Sequence, residues 1–149
     1  MFPGVNKLDY EYGEYWPSQI TNGNDPAILD FIEEHLWFIT LSPRENGYDV
    51  LSGTQINPPN AKALADAASN CWEALQKKDP KDFGAAFKRS FEAQIAMFPN
   101  MVNEAILKQI EEYSTMALGW KLSGAGGGGY LVLVSEKPVP NAIQIRIRR

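Results

Sequence analysis

The run Gly119-Trp120-Lys121-Leu122-Ser123-Gly124-Ala125-Gly126-Gly127-Gly128-Gly129-Tyr130-Leu131-Val132-Leu133-Val134 decides how this chain is organised. Five of the twelve glycines fall within positions 124–129. Those six residues satisfy the pattern G-x-G-x-x-G, but dinucleotide chemistry needs a strand before such a loop and a helix opening after it. Here Tyr130 to Val134 is aliphatic and β-branched with no helical period, so a strand follows. No Gly-Lys-Ser/Thr ending is present, which sets aside the Walker phosphate loop as well. The segment reads as a loop joining two strands. A two-residue hairpin turn asks for one or two residues at positive φ, and each further glycine costs about 0.5–1 kcal/mol in chain entropy. So many glycines imply a second demand. Backbone without side chains can converge its N–H groups on an anion, or let a second loop or a phosphorylated ligand approach closely.

Upstream of this run the period is helical. Leu64, Ala68, Cys71 and Leu75 recur every three or four residues after Pro58 and Pro59, which predicts an amphipathic helix to about Lys77. Asp79 is placed to cap a second helix with Pro80 at its first position, and Phe83, Phe87, Phe91, Ile95 and Phe98 form a stripe that reads as core, ended by Pro99. A third helix is expected from about Met101 to Met116, with Val102, Ala105, Ile106, Ile110 and Tyr113 on one face. The first part of the chain is aromatic and punctuated by Gly, Asn and Pro. Short runs at Val5 to Tyr10 and Glu14 to Ile20 around Gly13 predict a hairpin, Thr21 to Pro26 a turn, residues 27–34 a short helix, and His35 to Leu41 a buried strand. Residues 42–59 form a long irregular connection.

The composition bounds the function. With 149 residues, 44% of them hydrophobic and 21% charged, the chain has the apolar material for one ordinary core over residues 1–149, which excludes disorder and fibrous repeats. Fourteen Lys and Arg against eighteen Asp and Glu leave a formal charge of −4, so no general field attracts nucleic acid or an anionic membrane, and neither is expected as a partner. The tail Arg146-Ile147-Arg148-Arg149 reads as a terminal strand ending in solvated arginines. One cysteine and one histidine cannot supply a disulfide or an ordinary Cys/His zinc site, so no metal site is expected and a reducing cytoplasm fits best. Residues 1–7 do not read as a secretory signal, and Leu36 to Leu41 is far too short to span a membrane. Cys71 shares a face with Leu64 and Leu75 and reads as a small buried hydrophobe; His35, unaccompanied before a strand, reads as structural.

Lys121-Leu122-Ser123-Gly124-Ala125-Gly126-Gly127-Gly128-Gly129 resembles the third, C-terminal motif of the GHMP small-molecule kinases. Phe2-Pro3-Gly4-Val5-Asn6 resembles the segment just beyond the domain junction in the heptose-phosphate kinase and fucokinase branch, and Leu36 to Thr40 followed by Arg44 resembles the next strand and loop. The resemblance implies an α+β, ferredoxin-like two-layer domain with an antiparallel sheet packed against helices. It also implies the C-terminal half of an ATP-dependent kinase that phosphorylates a sugar or sugar phosphate. By the same resemblance Ser123, Gly124, Ala125, Gly126, Gly127, Gly128 and Gly129 lie at the interface with an N-terminal GHMP kinase domain, near the phosphates and the substrate.

Phosphoryl transfer needs phosphates cradled, Mg²⁺ held and the attacking hydroxyl oriented. The family's Pro-x-x-Gly-Leu-x-Ser-Ser phosphate loop has no counterpart in residues 1–149, and the family's catalytic aspartate would stand upstream of Pro3-Gly4-Val5-Asn6. No catalytic residue is therefore expected in this chain. ATP and Mg²⁺ are implied for the complete kinase, neither is expected to bind tightly here, and the chain alone is expected to be inactive. Lys121 and Ser123 flank the loop within reach of a phosphate. Arg44, Tyr48 and Asp49, in the long connection, are candidate substrate contacts. Thr40-Leu41-Ser42-Pro43-Arg44-Glu45 departs from the family's usual Thr-Gly then Arg-Ser pattern, which leaves the sugar open. Two other readings stand beside the kinase half: a non-catalytic module that binds a sugar phosphate, and a dimerisation domain acting as a homodimer.

Overall fold

The structure, a computed structural model, describes residues 4–147. Strands β1 (Asn6–Asp9) and β2 (Gln19–Asn22) form an antiparallel hairpin of their own. Helix α1 (Pro26–His35) leads into β3 (Leu36–Thr40), and a connection without regular structure leads to α2 (Pro58–Lys77). Then come α3 (Pro80–Met97), a 3-10 turn (Pro99–Met101), α4 (Glu104–Tyr113), β4 (Gly119–Leu122), β5 (Tyr130–Val134) and β6 (Ile143–Gln144). The last four strands build one sheet in the order β4-β5-β3-β6, every pair antiparallel. With β3 taken as first strand, the order is second, third, first, fourth: β3 and β4 run the same way with β5 inserted between them. That is the split βαβ arrangement of ferredoxin-like α+β domains, an antiparallel sheet packed against helices.

Local chemistry sets the boundaries. Asp25 accepts from the Ala27 N–H at 2.8 Å with Pro26 opening α1, and Asn57 accepts from the Asn60 N–H at 2.9 Å with Pro58 opening α2. The Asp79 carboxylate takes two amides of α3, Lys81 at 2.9 Å and Asp82 at 3.0 Å. Asn103 accepts from the Ile106 N–H at 2.9 Å and starts α4. Each such cap contributes about 1 kcal/mol by satisfying an otherwise orphaned amide.

Side chains of β5 alternate between two core clusters. Leu131 and Leu133 pack with Ile39, Leu122, Phe91, Met101, Ile106, Ile110 and Tyr113. Val134 packs on the other side with Ile28, Phe31 and Ile32 of α1, Leu75 of α2, and Phe83 and Ala86 of α3. The period of two along a strand buried on both faces explains the unbroken apolar run that marks β5 in the sequence.

Some boundaries differ from the sequence expectation. The second hairpin strand is Gln19–Asn22 rather than residues 14–20, and Tyr12, Tyr15 and Trp16 are exposed in the connection. Thr21 and Asn22, expected in a turn, pair with Lys7 and Asn6, because backbone pairing with β1 continues to Gly23. Helix α1 runs through His35, whose ring stacks on Phe31 and whose Nδ1 donates to the Phe31 carbonyl at 2.8 Å, so β3 starts one residue later than expected. The third expected helix starts at Glu104 rather than Met101, because the Asn103 cap ends the preceding 3-10 turn, and it stops at Tyr113 rather than Met116. Of the phenylalanine stripe, Phe83 and Phe91 are buried while Phe87 and Phe98 are half-buried. Cys71 is also half-buried rather than fully enclosed.

Arg146 pairs with Glu33 at 3.3 Å, and the Ile147 N–H donates to the same carboxylate at 2.7 Å. Arg148, Arg149, Phe2 and Pro3 lie outside the described residues. No helix among the described residues is long and apolar enough to cross a membrane.

Candidate functional site

Strands β4 and β5 deliver the glycine loop and clamp its base. The Ser123 N–H donates to the Tyr130 carbonyl at 2.9 Å, and on the other side the Leu41 N–H donates to the Gly129 carbonyl at 2.8 Å. Beyond this stem, residues 124–129 lie against two other segments. From the 42–56 connection, Arg44 Nε donates to the Gly126 carbonyl at 2.8 Å and the Tyr48 hydroxyl donates to the Ala125 carbonyl at 2.7 Å. From the 3-10 turn, the Met101 carbonyl accepts the Gly127 N–H at 2.8 Å.

The excess of glycine follows from these contacts. Gly126 and Gly127 sit at φ +74° and +68°, in the left-handed region. A Cβ on Gly126 would stand 2.6 Å from the Met101 carbonyl oxygen, and one on Gly127 would run into the Tyr48 ring. The loop is therefore close-packed on its neighbours, and side-chain-free backbone is what lets a second and a third segment approach it.

These contacts also give the loop two sides. Every peptide bond described is trans, so each carbonyl points opposite to the N–H of the next residue. Turning the Ala125 carbonyl toward Tyr48 aims the Gly126 N–H away from it. Ser123 and Gly124 are exposed. Arg44 spends its Nε on the loop, and its terminal Nη2 lies 3.8 Å from where a Gly124 Cβ would stand. The guanidinium carbon is 5.8 Å from the centre of the Tyr48 ring, within cation–π range. Burial raises the Tyr48 phenol pKa; Arg44 opposes that rise and Asp49 adds to it. The hydroxyl thus stays protonated and able to donate.

The other expected site residues lie elsewhere. Asp49 works within its own connection: its carboxylate accepts from the Leu51 N–H at 2.9 Å, and its carbonyl accepts from Asn100 at 3.1 Å. Lys121 reaches α3, where its Nζ donates to the Ser90 hydroxyl at 2.7 Å. Burial holds the Lys121 ammonium below its ordinary pKa, and the neighbouring Cys71 thiol opposes that shift. The residues that sequence reasoning passes over are Met101, which acts through a main-chain carbonyl, and Ser90, a small residue within a helix. Neither carries a sequence signal for its role. Two depressions border the loop. An opening of about 610 Å³ is lined by residues 40–43, Gly127, Gly128 and the start of α4. A cleft of about 1080 Å³ between β1, α2, α3 and β4 reaches Ser123 and Gly124.

The family model described as GHMP kinases C terminal matches residues 72–148, more than half of the chain and all of the glycine loop. The chain belongs to the GHMP kinase family. Over 78 residues this GHMP domain is 40% identical to the L-fucokinase/L-fucose-1-P guanylyltransferase of Bacteroides fragilis, a match over 50% of this chain and 8% of that protein. A solved D-glycero-D-manno-heptose 1-phosphate kinase from Bacteroides thetaiotaomicron superposes with a TM-score of 0.49 at 16% identity. That match covers 79% of this chain and 31% of that one. The GHMP domain thus spans less than a tenth of the curated relative and about a third of the solved kinase. Arg44 and Tyr48, which brace the family's loop here, lie upstream of the matched residues.

Proposed function

We propose that this GHMP domain is the C-terminal half of an ATP-dependent kinase that transfers a phosphoryl group to a carbohydrate hydroxyl of a sugar or sugar phosphate. The observation that carries the reading is the braced loop: Arg44 and Tyr48 hold the Gly126 and Ala125 carbonyls, Met101 holds the Gly127 N–H from the opposite direction, and the Gly126 N–H is left directed away from Tyr48. Phosphoryl transfer is accelerated mainly by positioned donors and charges, and donors fixed in advance need no reorganisation during the reaction. The exposed Ser123 hydroxyl, the Gly126 N–H and the terminal nitrogens of Arg44 are the groups we assign to a phosphate or to the substrate end of the interdomain site. Tyr48 and Asp49 serve that site by holding the loop and its connection in place.

The rest of the machinery is assigned to an N-terminal GHMP domain. Among the described residues no three His, Cys, Asp or Glu side chains come together as a metal site. ATP and Mg²⁺ would be gathered by the N-terminal domain, with the glycine loop closing the site and positioning the acceptor. The chain alone then binds sugar phosphate weakly and does not turn over. The curated relative, named for a fucokinase, supports a carbohydrate acceptor.

The test is a nuclear magnetic resonance titration of the ¹⁵N-labelled chain with free and phosphorylated hexoses and heptoses at millimolar concentration. The amides of Ser123, Gly124 and Gly126 and the Arg44 side chain should shift with the phosphorylated sugars and much less with the free ones. Shifts confined to other residues, or equal for the two sets, would overturn the assignment.

A further inference from the structure

The larger cleft is not suited to a sugar. Its walls are Leu64, Ala68 and Trp72 of α2, Phe87 of α3 and the inner side of β1, with apolar surface predominating. A polyhydroxylated ring would leave most of its hydroxyls unpaired there. Yet the floor carries a charge. Lys121 projects from β4, is half-buried, and has the hydroxyl of Ser90, itself only 4% exposed, as its hydrogen-bond partner. No carboxylate lies within 4.0 Å of its Nζ among the described residues; the ion pair on the adjoining β1 wall, Lys7 with Asp9 at 2.8 Å, is already closed on itself. The titratable neighbour that acts on it is the Cys71 thiol.

An ammonium has three donors, and Ser90 takes one. A cation withdrawn from water without an anion is unfavourable, and a counter-ion arriving from outside would relieve it. Apolar walls over a cationic floor are complementary to one kind of molecule.

We infer that the cleft between β1, α2, α3 and β4 binds a small amphipathic anion, an apolar ring system or chain bearing one acidic head group, with Lys121 as its counter-ion and Ser90 positioning the lysine. The cleft shares Ser123 and Gly124 with the loop end assigned above, but its cationic floor and apolar walls are other residues, and the inference does not depend on the kinase reading. Because it abuts Ser123 and Gly124, a bound anion would sit next to the loop and could report to it.

A pair of fluorescent probes tests the inference. 1-Anilinonaphthalene-8-sulfonate and N-phenyl-1-naphthylamine share their rings and differ by the sulfonate. The sulfonate should bind one to one and roughly tenfold or more tighter than the neutral probe, the increment expected of one desolvated charge-assisted contact. Lys121→Met should erase that preference, Lys121→Arg should keep most of it, and Ala68→Trp, at an exposed position on the α2 wall, should block both probes. Far-UV circular dichroism and melting of each variant establish that it is folded, and Lys121→Arg retains the charge if Lys121→Met perturbs the floor. Equal affinity for the two probes, a preference that survives Lys121→Met, undiminished binding in Ala68→Trp, or no saturable binding would each overturn the proposal. The last outcome would point to a protein surface as the cleft's occupant instead.

Discussion

Gly126→Ala isolates the packing of the glycine loop. The residue is buried at φ +74°, and an added Cβ would lie 2.6 Å from the Met101 carbonyl oxygen, 2.7 Å from Met101 Cβ and 2.8 Å from Met101 Cα. Two of those three atoms are backbone, and Met101 is only 1% exposed, so the neighbour cannot swing aside. A left-handed alanine costs about 1–2 kcal/mol and overpacking a close contact about 1–3 kcal/mol. Pushing the loop off Met101 also endangers the Gly127 hydrogen bond, a loss of about 1 kcal/mol. The expected destabilisation is on the order of 3–6 kcal/mol, which for a chain of this size lowers Tm by roughly 10–18 °C. Gly129→Ala is the control: φ there is +87°, but a Cβ meets nothing within 4 Å, so the loss should stay near about 1–2 kcal/mol. Thermal melting followed by circular dichroism, with urea denaturation for the free energies, measures both. Equal losses in the two variants would refute the claim that Gly126 is packed against the 3-10 turn.

Three further outcomes follow from individual contacts. Tyr48→Phe removes the 2.7 Å bond to the Ala125 carbonyl and should cost about 1 kcal/mol, with faster amide exchange in residues 125–127 than in β5 by hydrogen-exchange mass spectrometry. Asp79→Ala strips two amides of their acceptor at the start of α3 and should cost about 1–2 kcal/mol in chemical denaturation. Lys121 has its pKa lowered by burial, with Cys71 opposing; its charged form therefore opposes folding at neutral pH, and that penalty fades as pH rises through the folded pKa toward the ordinary lysine value. Lys121→Met should accordingly raise Tm at pH 7, with the gain shrinking at alkaline pH. A gain that grows with pH would show that the sign is wrong.

The fold was legible where sequence and packing agree. Pro58, Asp79-Pro80 and the three- and four-residue spacings state their helices directly, because caps and apolar stripes are local properties. The unbroken apolar run of β5 announced a strand, and the two core clusters that its faces join account for that run. The hairpin register was not legible, since Tyr10, Tyr15 and Trp16 fall in the runs expected as strands but are exposed. What decides the pairing is the backbone match of Asn6 with Asn22 and of Lys7 with Thr21, which side-chain pattern does not encode. The start of α4 was missed because the apolar period continues through Met101 and Val102, while the Asn103 cap sets where the helix begins.

At the site, the glycines declared a close approach without saying by what. The partners proved to be Arg44 and Tyr48, about eighty residues upstream, and a main-chain carbonyl at Met101. Such contacts depend on the tertiary fold. Lys121 shows the converse limit: its spacing beside the loop suggested a phosphate contact, whereas its side chain extends to Ser90 across the β4–α3 contact.

The most direct test of the kinase reading is turnover by a chimera that places a GHMP kinase N-terminal domain ahead of this chain. It would be assayed with Mg-ATP and a panel of free and phosphorylated hexoses and heptoses, beside the chain alone and a chimera carrying Arg44→Gln. The expected results are sugar-dependent ADP release by the chimera, none by the chain alone, and at least a roughly tenfold loss of kcat/KM in Arg44→Gln. Turnover by the isolated chain, or a folded chimera inert toward every sugar, would contradict the kinase reading.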